Sequence, residues 1–524
     1  MTRRDLICAA IANTLGSPPK STTAPLILDP GRLRKFVDRL PTPPLAKSNG
    51  TRPHPASAGR RVPYYRFSMR QFTAKVHHDL PPTRFWGFES SSPGPTIEAR
   101  QGEPLLVEWV NELPKVHFLP LDYSLHGSGR DVPAVRTVVH LHGGRVPPES
   151  DGYPEHWFAP GGSSVHFYPN SQDATMLWYH DHAMAITRLN IFAGLFGLYV
   201  IRDSAEDALD LPKGEFELPL ILYDRSLRED GQLYYPVSGD PRQPWVPEFF
   251  GEAILVNGKL FPYREVQPRK YRLRLLNASN SRFYYLSFST EAVFRQIGSD
   301  QGLLPQPVEL KRLTLAPGER ADLIVDFRAC AGSAVVLQTD TYTVMQFRVG
   351  TSVEDAETPV PLSLRPVERI AEGAAVKTRV LTLNGSGDFD DPTTMRPMLL
   401  NNAYWHDPVT ENPKLGSIEI WSLVNVTDDS HPIHLHLVRF QILDRRPFDR
   451  FAFLNEGELK YTAPAIAPDP NEAGWKDTVR ADPGMVTRII VHFGPFAGRY
   501  VWHCHVLEHE DNEMMRPYEV VREG

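Results

Sequence analysis

Cysteine is scarce in this chain. Its 524 residues include three, Cys8, Cys330 and Cys504. So small a number excludes a disulfide framework and says little about the redox compartment. Methionine is also sparse: the ten residues are scattered, with no Met-rich segment of the kind that gathers soft metal ions. No apolar run reaches the length of about 20 residues that a membrane-spanning helix needs. Nor does one sign of charge dominate. A net charge of −7 with both signs interspersed gives no sign of a nucleic-acid-binding surface.

What the chain does have is proline, 49 residues of it, and short alternating segments broken by Gly, Pro, Asn and Asp. That texture predicts an all-β protein, and the length predicts roughly three domains. Three strand-like segments share an alternating pattern closed by Asn: Leu106 to Asn111, Arg272 to Asn277 and Ile420 to Asn425. Their even spacing suggests three copies of one β-sandwich domain. The acidic stretch Asp203 to Glu215 and the Pro/Glu-rich stretch Val353 to Lys377 read as the linkers between them.

Histidine carries the chemistry. Ten of the 19 histidines fall in four short clusters, which solvated histidines have no reason to do. Four His-x-His pairs stand out: His140/His142, His180/His182, His434/His436 and His503/His505. On a strand this spacing aims two imidazoles to one side. One such pair is incidental in most proteins, but four form a pattern. Two belong to the first copy and two to the third, so packing those copies together would gather eight imidazoles, a set suited to three coppers. The last pair flanks Cys504. Alternation points the thiol away from His503 and His505, so one tripeptide serves two metal sites. His431, extended by Pro432, together with His509 and Met514 completes a thiolate, imidazole and thioether set of the blue-copper type. Met515 reads as core. In the first copy, Asp181 stands where the third has Cys504. The comparable strand of the middle copy, Ala334 to Asp340, has no His or Cys and predicts a copper-free spacer.

The segments Thr137 to Gly144, Trp178 to Met184, Gly298-Ser299-Asp300, His431 to His436 and His503 to Asp511 resemble those of the three-domain multicopper oxidases, closely the bacterial spore-coat laccases. The resemblance runs from about Lys35 to the C-terminus. It implies three consecutive cupredoxin-like Greek-key β-sandwich domains, expected at residues 35–204, 205–365 and 366–524. It also implies four copper ions. His431, Cys504 and His509, with Met514 axial, match the type 1 ligands, and His140 and His434 the type 2 ligands. His142, His180 and His503 resemble the set for one type 3 copper, and His182, His436 and His505 the set for the other. Asp151 and Glu510 match acids beside the oxygen site, although Asp151-Gly152 is also good turn chemistry and Glu510 sits in an acidic run. Such acids have a task, because oxygen reduction consumes protons. From Cys504 the covalent backbone leads to His503 and His505, the expected electron path.

The function this implies is one-electron oxidation of phenols and aromatic amines coupled to reduction of dioxygen to water by a monomeric enzyme. A cuprous-ion metallo-oxidase and a bilirubin-oxidase-like enzyme are alternatives within the family. A simple electron-transfer cupredoxin leaves eight histidines unexplained, a two-domain copper nitrite reductase lacks the four pairs, and a structural coat protein needs no oxygen chemistry. Residues 1–34 read as a flexible arm or an export signal, within a longer Pro- and Ser-rich stretch to Arg61 anchored at Lys35 to Asp38. The opening Thr2-Arg3-Arg4 is similar to a twin-arginine signal, but its apolar part is short and interrupted by Asn13 and Thr14, which leaves export and retention both open. One departure from the family concerns the substrate rim. The spore-coat laccases it resembles have a disulfide there in the middle domain, whereas Cys330 has no evident partner, and a shorter, more open rim is expected.

Overall fold

A computed structural model describes residues 26–352, 359–385 and 397–522. The expectations for Cys8 and for the export signal lie outside these residues. The described residues fold as all-β, with their strands sorted into six sheets that pair in sequence order. A five-stranded and a four-stranded sheet span Thr51 to Arg202, an eight-stranded and a five-stranded sheet span Glu217 to Val349, and a five-stranded and a four-stranded sheet span Lys377 to Val520. Each pair encloses its own apolar core, centred on Trp109 and Tyr179, on Leu273 and Phe347, and on Trp421 and Trp502 respectively. Among the described residues, no helix is long and apolar enough to cross a membrane.

The three Asn-closed segments occupy the same place in each sandwich. Leu105–Asn111, Lys270–Asn277 and Ile418–Asn425 each lie between a parallel neighbour on the N-terminal side and an antiparallel one. The closing Asn does one job three times. Its Oδ1 accepts from the backbone N–H two residues on, and its Nδ2 donates across the turn at 2.7–3.2 Å, to a carbonyl and a hydroxyl at Asn111 and to two carbonyls at Asn277 and Asn425. An Asn that both caps a strand and ties down a buried turn satisfies backbone groups that would otherwise be orphaned.

The connecting segments are not loose. Asp203 caps the short helix Ser204–Asp207 and pairs with Arg365 of the second connector, Nη2 to Oδ2 2.5 Å. Residues 26–50, read from sequence as an arm held at one piece, are held along their length. Leu28 N donates to Leu227 O, Phe36 N to Phe261 O, Leu40 N to Tyr263 O and Ala46 N to Thr96 O. Composition missed this because extended chain that borrows partners from other strands carries no pattern of its own. The rim strands Ala334–Thr339 and Tyr342–Val349 are joined directly at Asp340 and Thr341, and Cys330 is a free, half-buried thiol against the middle core.

Candidate metal centre

Two four-stranded sheets from the first and third sandwiches deliver the histidine pairs. Val139–His142 runs antiparallel to Thr175–Asp181 with His140 opposite His180. His431–Leu435 runs antiparallel to Gly498–Cys504 with His434 opposite His503. The equal registers make the two halves a pseudo-symmetric pair. His140 stacks on His436 and His142 on His434, each with ring centroids 3.6 Å apart. All eight imidazoles have no solvent exposure.

Burial, then repulsion between neighbouring rings, lowers the pKa of His140, His142 and His436 well below the ordinary imidazole value, and that of His505 to about 3. These rings are neutral and keep a lone pair. Backbone carbonyls decide which nitrogen holds it. Nδ1 of His140 donates to Asp151 O at 2.6 Å, of His180 to Asp181 O at 2.8 Å, of His434 to Asp477 O at 2.8 Å and of His503 to Cys504 O at 3.0 Å. In each ring Nε2 is therefore the acceptor. His142 is reversed: Nε2 meets Asp477 Oδ1 and Thr478 Oγ1, both at 3.1 Å.

The nitrogens left over identify the site. Nε2 of His140, His180 and His434, Nδ1 of His142 and both nitrogens of His505 are buried without a hydrogen-bond partner. An orphaned buried acceptor costs about 1–3 kcal/mol, so so many in one place call for a ligand. His182 Nε2 and His436 Nε2 each lie 3.3 Å from His503 Nε2. That is the edge of a tetrahedron whose metal–nitrogen bonds are about 2.0 Å. The donor set fits bound copper.

The grouping of the histidines differs from the expectation for the type 3 sets. His503 converges with His182 and His436, not with His142 and His180. His505 stands instead beside the latter two, with ring centroids 5.0 and 5.6 Å away. Strand alternation puts His503 and His505 on one side but leaves them staggered by about 6–7 Å along the backbone. Which pair each meets depends on how the facing sheets slide, a long-range quantity.

On the other face of the strand, Cys504 points into the third core. Its Sγ lies 3.5 Å from His431 Nδ1 and 3.8 Å from His509 Nδ1. Thr427 Oγ1 holds His431 Nε2 at 2.7 Å, which turns Nδ1 toward the sulfur. Met514 shares the apolar cluster of Cys504 and accepts Cys504 N–H through its carbonyl. Met515 faces the opposite way, against Trp245 and Trp405. In the first sandwich, Asp181 uses its carboxylate on N–H donors of Val138, Ala183 and Asn190.

Both sequence-derived acids lie at the cluster. Asp151 Oδ2 accepts from His436 Nδ1 at 2.7 Å, Oδ1 is unpartnered, and burial raises its pKa well above the usual range. Glu510 Oε2 is 3.1 Å from His503 Nδ1 and Oε1 3.6 Å from His182 Nδ1.

A family model described as multicopper oxidase matches residues 131–206, and a second one residues 376–524. A laccase of Bacillus subtilis is 48% identical over 518 residues, covering 93% of this chain and 99% of the relative. A laccase of Haloferax volcanii is 39% identical, covering 99% and 90%. The chain belongs to the multicopper oxidases. Among solved structures, a laccase from Pediococcus acidilactici superposes with a TM-score of 0.75 at 30% identity, covering 93% of this chain and 95% of that one. The fold is thus the cupredoxin fold of this family, which carries four coppers.

Sequence reasoning missed one acid of this multicopper oxidase. Asp477 is fully buried; its carbonyl takes His434 Nδ1 and its carboxylate takes His142, Gln301 and Arg320, the last at 2.5 and 2.7 Å. Arg320 in turn is held by the carbonyl of Asp300. The Gly298-Ser299-Asp300 segment was visible in the sequence, but nothing local tied it to histidines in other domains.

Proposed function

We propose that this multicopper oxidase is a laccase, oxidising phenols and aromatic amines with dioxygen as the acceptor. The observation that supports it most is the closed cluster of eight buried imidazoles, two of which flank Cys504 with its thiol on the opposite face of the strand. His431, Cys504, His509 and Met514 would hold the type 1 copper, and His140 and His434 the type 2 copper. His142, His180 and His505 would hold one type 3 copper, and His182, His436 and His503 the other. Bound there, the four coppers supply the one-electron steps and the four electrons that take dioxygen to two waters.

The protein's own groups do the rest. Of the four type 1 residues only His509 keeps any exposure, 1%, so the reductant's electron enters at its edge. The covalent bonds from Cys504 to His503 and His505 give the shortest path inward. Asp151 Oδ1, buried without a partner, is placed to hold a proton for the oxygen site, and Glu510, buried beside His503 and His182 and kept ionised by them, to pass one on. Burial of every ligand excludes bulk water. Both halves of the site come from one chain, so a monomer suffices.

The test is oxygen uptake by copper-loaded protein with a methoxyphenol, compared with cuprous ion under matched conditions. Rapid uptake with the phenol is expected. Uptake confined to cuprous ion would make it a metallo-oxidase, and no uptake with either would refute the oxidase reading.

A further inference from the structure

Two histidines that the copper centres leave unused meet across the seam between the first and third sandwiches. The rings of His126 and His406 lie with centroids 5.4 Å apart and planes tilted by 41°. The molecule supplies its own scale for that distance. His431 and His509, which converge with the Cys504 sulfur, have centroids 5.2 Å apart at 53°. His182, His436 and His503, which converge on one another, are 4.9–5.4 Å apart. Two imidazoles that share one metal at about 2.0–2.1 Å, in tetrahedral directions, have centroids roughly 5 Å apart. His126 is half-buried and His406 exposed, and neither ring has a hydrogen-bond partner among the described residues.

The backbone beneath the two rings is fixed. Leu125 and Trp405, each next to one of the histidines, are buried in the same apolar cluster. Trp405 Nε1 also donates across the seam to Glu155 Oε1 at 3.0 Å. Each histidine sits on a tight turn, closed by Ser128 N to Leu125 O at 3.1 Å and by Asp407 N to Tyr404 O at 3.0 Å. A buried arginine fastens each turn. Arg136 Nη2 donates to Gly127 O at 2.9 Å and to Met184 O at 2.6 Å. Arg516 donates to the carbonyls of Tyr404, Trp405, Asp407 and Pro408. Both guanidiniums thus spend their donors on carbonyls rather than on a carboxylate, which is rare for buried arginine. Three carboxylates surround the second turn: Asp407 accepts from Tyr404 N, and Glu513 and Glu155 from the two N–H groups of Trp405. That field favours a cation.

We propose that His126 and His406 form a further metal site, a clip of two imidazoles and water that takes a divalent copper or zinc ion and joins the first sandwich to the third. Imidazole is a ligand for both metals, and copper ranks above zinc at nitrogen donors. The clip is separate from the copper centres, since neither histidine belongs to the groups that converge there. Its two ligands come from different sandwiches, so only the closed arrangement of the two offers the site. A metal bound there stabilises that arrangement by mass action. Its occupancy is independent of which reductant the oxidase takes.

Isothermal titration of zinc ion into the copper-loaded protein tests this without turnover. One zinc per chain is expected, with copper content and the blue absorption unchanged. His126→Ala and His406→Ala should each weaken zinc by at least about tenfold, the loss that even an indirect partner of a metal ligand causes. Cupric ion should compete for the same site and bind it more tightly than zinc. Zinc should raise the melting temperature of the unsubstituted protein and of neither variant. No zinc binding, or binding indifferent to both substitutions, overturns the proposal. So does binding that needs only one of the two histidines, because the metal would then sit on a single sandwich. Zinc that enters only as copper leaves would place it in the copper centres and overturn the proposal as well.

Discussion

His503 and His505 differ by two positions in sequence and meet different histidines, and the residue between them faces a third cluster. Each role follows from where one side chain ends. Replacing Cys504 by Ser keeps the volume and removes the soft ligand, so the variant should fold, lose its blue colour and lose turnover while retaining copper at the histidine cluster. Visible absorption and copper analysis check this. Arg320 acts one contact further out. It neutralises Asp477, whose carboxylate and carbonyl orient His142 and His434. Arg320→Gln leaves a carboxylate buried without its partner, which typically costs about 3–5 kcal/mol. The expected result is a lower melting temperature and fewer than four coppers per chain, with the blue centre retained. A variant with full copper would make Arg320 merely structural.

At the scale of strands, the repeated Asn explains how three unlike sequences build the same corner. Asn277→Ala removes three hydrogen bonds, two of them fully buried. A loss of about 3 kcal/mol is expected from chemical denaturation, with copper content unchanged because no ligand lies on that turn. The strand Lys270–Asn277 shows where local pattern misleads. Arg272 and Arg274 alternate with Leu273 and Leu275, the pattern of a one-sided sheet, yet both arginines are 3% exposed. The connector after Arg202 covers them, with Glu206 at 2.5 Å from Arg272 and 2.7 Å from Arg274. Asp151 is a similar case. Gly152, at φ +82°, makes the turn that puts it there, and an added Cβ would sit 2.3 Å from Val139 O. Turn chemistry and a place at the cluster are therefore the same fact.

For the whole molecule, the contacts between sandwiches carry both stability and site. Glu217 lies between Arg274 and Arg202; burial would raise its carboxyl, but Arg274, Arg272 and Arg202 outweigh that and hold it at about 2 against 4.5 unfolded. A depressed folded pKa contributes stability fully above about pH 4.5 and loses it as pH falls toward 2, on the order of 3 kcal/mol in all. Glu217→Gln should thus be less stable at pH 7 and show a shallower decline on acidification, followed by thermal melts across that range. Copper removal acts at the other interface. Because the cluster joins the first and third sandwiches, chelation should lower the melting temperature and increase protease sensitivity between them, and copper should restore both.

Much of this was legible in advance. The all-β class, the triple repeat, the eight cluster histidines and the opposite facing of Cys504 all rest on a period of two residues and on local turn chemistry, which a sequence displays directly. The partition of His503 and His505, the burial of Arg272, the strap from residue 26 to 50, and the Asp300, Arg320 and Asp477 chain rest on contacts between residues that are not neighbours in sequence, many of them in different sandwiches. Such contacts are set by how packed sheets slide and turn against one another. No local pattern encodes that offset, so only the tertiary structure decides it.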